Sequence, residues 1–142
     1  MNCNTYRISE DFNEDIFHSI VEIWQQTGVG NPARGDDFEV VKRTLEHGGK
    51  IFSLLDDDQI IGTAWLTHDY RRVYIHHMAI EPSHQDKGLS HMLLEACIQY
   101  AHELGYQAKL EVDRQNLPAR HLYEKYGFQN LGDFLVLIKR EV

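Results

Sequence analysis

The run Gln85-Asp86-Lys87-Gly88-Leu89-Ser90 has the residue types and the setting of an anion site. It follows a strand predicted over Val73–Ile80 and opens a helix predicted to reach Leu104. Backbone N–H groups in the first turn of a helix lack intrahelical partners. They also lie at the positive end of the helix dipole, worth about half an elementary charge. Gly88 has no Cβ, so a phosphate can approach the main chain there. Lys87 adds a cationic side chain. The chemistry implied is the binding of a phosphate-bearing cofactor. Neither the dinucleotide spacing G-x-G-x-x-G nor the P-loop spacing G-x-x-x-x-G-K-S/T is present.

What stands instead is Q-x-x-G-x-S, preceded by Tyr74-Ile75-His76-His77-Met78-Ala79-Ile80 and Glu81-Pro82. This resembles the acetyl-CoA signature of the GNAT N-acetyltransferase superfamily, Arg/Gln-x-x-Gly-x-Gly/Ala. Downstream, the run Asn116-Leu117-Pro118-Ala119-Arg120-His121-Leu122-Tyr123-Glu124-Lys125-Tyr126-Gly127-Phe128 resembles the family's second signature, N-x-x-A-x-x-L-Y-x-x-x-G-F. The two occur in the family's usual order and separation. The resemblance is sharpest from Val73 to Phe128 and looser before it. Ser90 departs from the pattern, where glycine or alanine is usual; its small hydroxyl can cap the helix or touch a phosphate.

The resemblance implies an α/β fold of GNAT type. That is a mixed, mostly antiparallel central sheet with a splayed parallel strand pair, flanked by about four helices. It implies acetyl-CoA as co-substrate, with no metal, and a single domain over residues 1–142. It places the pyrophosphate on Gln85, Asp86, Lys87, Gly88, Leu89 and Ser90. The main chain of Met78, Ala79 and Ile80 would pair with the pantetheine amides, and one N–H would polarise the thioester carbonyl. Asn116 would contact the pantetheine arm or a water beside it; the same side chain also suits a helix N-cap.

Acetyl transfer to an amine makes three demands. The nucleophile must be neutral, the carbonyl polarised and the leaving thiolate protonated. An alkyl ammonium of pKa about 10.4 lies about 3.4 units above pH 7, or about 4.6 kcal/mol to be met by a base. A tyrosine of pKa about 10 can protonate a thiolate leaving near 8.5. Tyr123 holds the tyrosine position of the second signature and is the expected acid and cofactor contact; the plainer role is packing with its hydroxyl at the surface. Tyr126 is expected to pack. For the base, some relatives carry a histidine at the spacing of His76 from the turn. His76 and His77 are expected on opposite faces of the strand, and a histidine suits proton removal near neutrality. Glu81 is a weaker candidate, placed to end the strand before Pro82. Both histidines also suit a packed or surface role.

Composition bounds the partners. The chain has 142 residues, 42% hydrophobic and 25% charged, as in one soluble globular domain. No apolar run approaches the ~20 residues of a membrane span, and Met1–Asp11 lacks the order of a signal peptide. A cytoplasmic location is the default. The net charge of −8 argues against nucleic acid. It also opposes polyanionic coenzyme A, so Lys87 and the helix terminus must prevail locally. An acidic excess suits a small cationic amine as acceptor, or simply solubility. Cys3 and Cys97 make no disulfide framework, and Cys97 reads as a small core residue. The nine histidines show no H-E-x-x-H spacing, and no C-x-x-C is present, so a zinc site is not expected. Monomer and homodimer remain open.

The remaining elements follow from periodicity and punctuation. A short strand is expected over Cys3–Ile8 and an amphipathic helix over Asp11–Gln26, from Ile16, Ile20, Ile23 and Trp24. The residues from Thr27 to Gly35 read as a loop, in which Arg34 suits either a substrate carboxylate or, more commonly for such a residue, plain solvation. Asp36 and Glu39 have capping-box spacing for a second helix ending at Gly48-Gly49. Strands follow over Ile51–Leu55 and Gln59–Thr67, and then around Ala108–Val112. A helix begins near Pro118, and a last strand is expected over Phe134–Lys139. The competing functional class is a non-catalytic acyl-CoA-binding module that retains the pyrophosphate turn. An enzyme that acetylates proteins or peptides would share the mechanism and differ in acceptor.

Overall fold

The computed structural model describes residues 5–142. They form two compact units, the first running to Glu111 and the second covering Val112–Val142. In the first unit the elements are β1 (Tyr6–Ser9), α1 (Glu14–Thr27), α2 (Phe38–Glu46), β2 (Lys50–Asp56), β3 (Gln59–His68), β4 (Arg72–Ile80), α3 (Ser90–Leu104) and β5 (Gln107–Leu110). Short 3-10 turns at Pro32–Arg34 and Pro82–His84 precede α2 and α3. The five strands lie in the order β1-β2-β3-β4-β5. Neighbours are antiparallel except for the parallel pair β4–β5. This is the mixed sheet and helix set expected for a GNAT fold.

Local chemistry sets the helix ends. Asn13 accepts from the Ile16 N–H to start α1, and Gly28 ends it in the left-handed region at φ 75°. Cys3 and the start of the expected first strand lie outside the described residues. The expected capping box at Asp36 is displaced by one residue: Asp37 caps α2, accepting from Val40 N–H at 3.0 Å. Asp36 is thereby left for another contact.

The sheet is covered on both faces. Phe17, Ile20 and Trp24 of α1 and Val41 of α2 pack with Ile51 and Trp65 of the sheet. Leu93, Leu94 and Cys97 of α3 are fully buried. A Cβ on Gly62 of β3 would lie 2.7 Å from Ile80 Cδ1 and 3.2 Å from Leu93 Cδ1. Gly62 and Trp65 differ in parity along β3, so α3 lies on the face opposite α1. Burial pushes the Cys97 thiol up to about 12, as for an inert core residue.

The second unit holds α4 (Leu117–Lys125). Asn116 accepts from Ala119 N–H at 3.3 Å as its N-cap, and Gly127 follows at φ 89°. The last strand expected over Phe134–Lys139 does not form. The segment has no ladder partner, and Phe134–Ile138 are 71–86% exposed. Apolar character alone cannot make a strand, whose N–H and C=O groups must be paired by a neighbour. Among the described residues no helix is long and apolar enough to cross a membrane.

Candidate active site

Two features of β4 build the site in the first unit. The first is the end of its parallel ladder. Arg72, Val73, Tyr74 and Ile75 pair with Gln107, Ala108, Lys109 and Leu110, and there β5 stops. From His76 to Ile80, β4 has no β5 partner, while its other edge stays bonded to β3. The main chain of Met78, Ala79 and Ile80 therefore runs along an edge that β5 does not pair. The second feature is a bulge. Thr63 pairs with Ala79 and Trp65 with His76, so His77 and Met78 both stand opposite Ala64. His77 takes the left-handed region at φ 50°.

The bulge corrects the expectation that His76 and His77 face opposite sides. Alternation would send His77 toward α3. The extra residue returns its ring to the α1 face, 4.9 Å from the Trp24 ring and 5.6 Å from Trp65. His76 lies on that face too, 5.2 Å from the Trp65 ring. His76 Nε2 shares a hydrogen bond of 2.7 Å with Thr67 Oγ1. Burial, then the neighbouring His77, pushes the His76 pKa down to about 4, against a smaller upward pull from Asp36. His77 Nε2 lies 3.0 Å from Asp36 Oδ2. That carboxylate oxygen also accepts from Asn31 N–H at 3.0 Å. Residue spacing carried no sign of a pair 41 positions apart. The one local hint is Gly30 in the glycine-rich loop, where a Cβ would lie 3.0 Å from the Trp24 ring and 3.2 Å from His77.

Beyond β4 the chain is clamped into the expected anion turn. His84 Nε2 lies 3.1 Å from Asp56 Oδ2 at the end of β2. Gln85 Nε2 donates to the Ile80 carbonyl at 3.0 Å, tying the turn to the strand end. Glu81 accepts from Ser83 Oγ at 2.6 Å on one oxygen and from Gln59 Nε2 at 3.4 Å on the other. Asp86 and Gly88 adopt positive φ, 63° and 74°. A Cβ on Gly88 would meet nothing within 4 Å, so the space over its main chain is open. The α3 N-terminus has no side-chain cap, whereas Asn13, Asp37 and Asn116 cap the other three α-helices described. In its first turn the N–H groups of His91 and Met92 donate to the Gly88 and Leu89 carbonyls at 3.3 and 3.1 Å, which leaves the Ser90 N–H and the positive end of the helix dipole beside the exposed Lys87, with Leu89 buried.

The remaining expected residues lie on α4. Asn116 caps it and Tyr123 stands two turns on, partly buried. Its ring meets Phe128 edge-on at 5.8 Å, and Phe128 N–H donates to the Tyr123 carbonyl at 3.0 Å. Arg34 closes a 3-10 turn whose cap is Asn31. Elsewhere on the first unit, a groove of about 370 Å³ runs between α1 and the β2–β3 turn. Asp15, Glu22, Asp58 and Glu81 line it without a lysine or arginine.

Comparison with known proteins agrees with this geometry. Residues 13–128 match the model of the "Acetyltransferase (GNAT) family". The spermine/spermidine N(1)-acetyltransferase of Bacillus subtilis is 33% identical over 86 residues, 58% of this chain and 50% of the relative. The chain spans about half the length of the first curated relatives it matches. Among solved structures, an acetyltransferase from Streptococcus agalactiae superposes with a TM-score of 0.78 at 17% identity, covering 93% of this chain and 92% of that one. A predicted acetyltransferase from Clostridium acetobutylicum, solved with acetyl-CoA, superposes with a TM-score of 0.69 at 21% identity, covering 96% of each chain. Signature turn, opened β4–β5 seam and family match converge: the chain belongs to the GNAT acetyltransferase family.

Proposed function

We propose that the protein transfers an acetyl group from acetyl-CoA to a primary amine of a small cationic acceptor. The observation that carries this reading is the end of the β4–β5 ladder at Ile75 and Leu110, followed by an uncapped α3 N-terminus. The opened edge of Met78, Ala79 and Ile80 supplies main-chain partners for the pantetheine amides. The turn from Gln85 to Ser90 supplies N–H groups for the pyrophosphate. Acetyl-CoA bound to a protein of the same fold supports the choice of donor.

The reaction then needs three services. A main-chain N–H on β4 polarises the thioester carbonyl. A base from the histidine pair at the bulge, His76 or His77, takes a proton from the ammonium. Tyr123 returns a proton to the departing sulfur, and Asn116 adds a polar contact to the pantetheine arm. The acidic groove supports a cationic acceptor, since carboxylates raise the local concentration of ammonium groups. The relative that acts on spermine and spermidine supports the same class.

A thiol-release assay with acetyl-CoA across polyamines, amino acids, small amines and peptides tests this reading. Release with at least one small amine supports it. Acetyl-CoA binding by calorimetry without release across the panel would favour a binding module. Release only with peptides would favour a protein-acetylating enzyme.

A further inference from the structure

We propose that His77, held by Asp36 across the β4 bulge, takes the ammonium proton, with Asp36 as its positioning residue. This rests on the acetyltransferase reading above. Sequence spacing pointed to His76; geometry separates the two rings.

His77 is part of the two-for-one bulge, at φ 50°. A left-handed backbone is strained for a residue with a Cβ, and such strain persists where the surroundings hold it. Here the effect of the strain is definite. It turns the ring from the α3 face to the α1 face, against Trp24 and Trp65, and onto Asp36. Asp36 is free to receive it because Asp37 caps α2. The Asn31 N–H fixes the same carboxylate oxygen.

A carboxylate on Nε2 selects the neutral tautomer with its proton on that nitrogen. Nδ1 is then the lone-pair nitrogen, and it has no hydrogen-bond partner among the described residues. The ionisable groups facing the ring are Asp36 from the α1–α2 connection and His76 from β4 itself. From α1 and β3 it meets Trp24 and Trp65. The side chains of His77 and Asp36 stay 21% and 23% exposed, so a proton can leave to water. His76 is differently placed. Its Nε2 is held by Thr67 Oγ1, and burial lowers its basicity, which makes it a poor acceptor for an ammonium proton.

The step balances as follows. An ammonium N–H bond breaks and its proton passes to Nδ1 of His77, directly or through one water. The freed nitrogen lone pair forms a C–N bond to the thioester carbonyl carbon, and the C–S bond breaks. The amide nitrogen sheds a second proton as the thiolate sulfur gains one. The His77 proton goes to solvent, which accounts for the single proton released per turnover.

The test has an arm that does not depend on activity. Long-range ¹⁵N–¹H spectra of the neutral imidazoles should show His77 protonated at Nε2; protonation at Nδ1 overturns the proposal. In the kinetic arm, kcat/KM of the wild type should rise with pH through neutrality. His77→Gln should remove that limb and lower kcat/KM at pH 7 by about 10²–10⁴-fold, with coenzyme A affinity retained. His76→Gln should keep the limb even where the rate falls. Asp36→Asn should release the tautomer, so that its spectra show protonation at Nδ1 as well, and should lower kcat/KM with coenzyme A affinity retained; it also serves if His77→Gln fails to fold. A limb that persists in a folded His77→Gln, or Asp36→Asn spectra unchanged from wild type, overturns the assignment while the transferase reading stands. Absence of thiol release by wild type with every amine sinks the transferase reading instead, and the spectra still decide the His77–Asp36 arrangement.

Discussion

Lowering the pH from 7 to 5 should cost the protein up to about 2 kcal/mol of stability through His76 alone. The cause is the burial that pushes this imidazole from about 6.5 down to about 4 in the fold. The unfolded chain takes up a proton as the pH falls below about 6.5, and the folded chain does not until about 4. The stability tied to the neutral ring is therefore complete above pH 6.5 and is lost as the pH falls from 6.5 toward 4. Over the whole interval, 6.5 minus 4 at about 1.36 kcal/mol per unit, the loss is about 3.4 kcal/mol. At pH 5 the proton-binding polynomials give about 2 kcal/mol, and the exposed part of the ring lowers this through solvent screening. Urea titrations at pH 7 and pH 5 measure it. With a slope of about 1–3 kcal/mol per molar urea, the wild-type midpoint should fall by up to about 2 M more than that of His76→Gln. Glutamine can still bond Thr67 but does not titrate. The histidines that do not face His76 contribute to both proteins and cancel in the comparison. Equal losses in the two proteins would refute the reasoning and return His76 to an ordinary solvated state.

Gly88→Val should weaken acetyl-CoA binding at least about tenfold, ~1.4 kcal/mol, because the turn needs φ 74° and the space above it is open for phosphate. Calorimetry finding unchanged affinity in the folded variant would remove the pyrophosphate from this turn. Tyr123→Phe should lower kcat by about 10²–10⁴-fold while coenzyme A affinity changes little, since a proton donor acts in the transition state. Turnover within about twofold of wild type, with chemistry rate-limiting, would assign the acid elsewhere. Gly30→Ala should destabilise by about 1–3 kcal/mol, seen as a lower melting temperature. Its new Cβ would press on the Trp24 ring at 3.0 Å and on His77 at 3.2 Å. A melting temperature equal to wild type would show that the loop yields freely.

What the amino-acid order determined by itself is what short-range physics controls. Ile16, Ile20, Ile23 and Trp24 mark one face of α1, and Phe17, Ile20, Ile23 and Trp24 are the residues buried there. Gly28 and Gly105 stop their helices at positive φ. The two signature runs, Gln85–Ser90 and Asn116–Phe128, are each contiguous, so their strand-to-helix and cap-to-helix settings were legible from spacing alone. The tertiary structure decided whatever depends on a distant partner. Asp36 has the capping-box spacing, yet Asp37 caps α2, and Asp36 goes to His77, 41 residues away. The two histidines alternate until β3 leaves one residue of β4 in excess, which reverses the face of His77. Phe134–Lys139 reads as a strand by composition, yet a strand exists only where a neighbouring edge pairs its main chain. Periodicity reports which side chains prefer burial; register, bulges and ladder length are settled by which chains meet, and that information lies between segments rather than within any one of them.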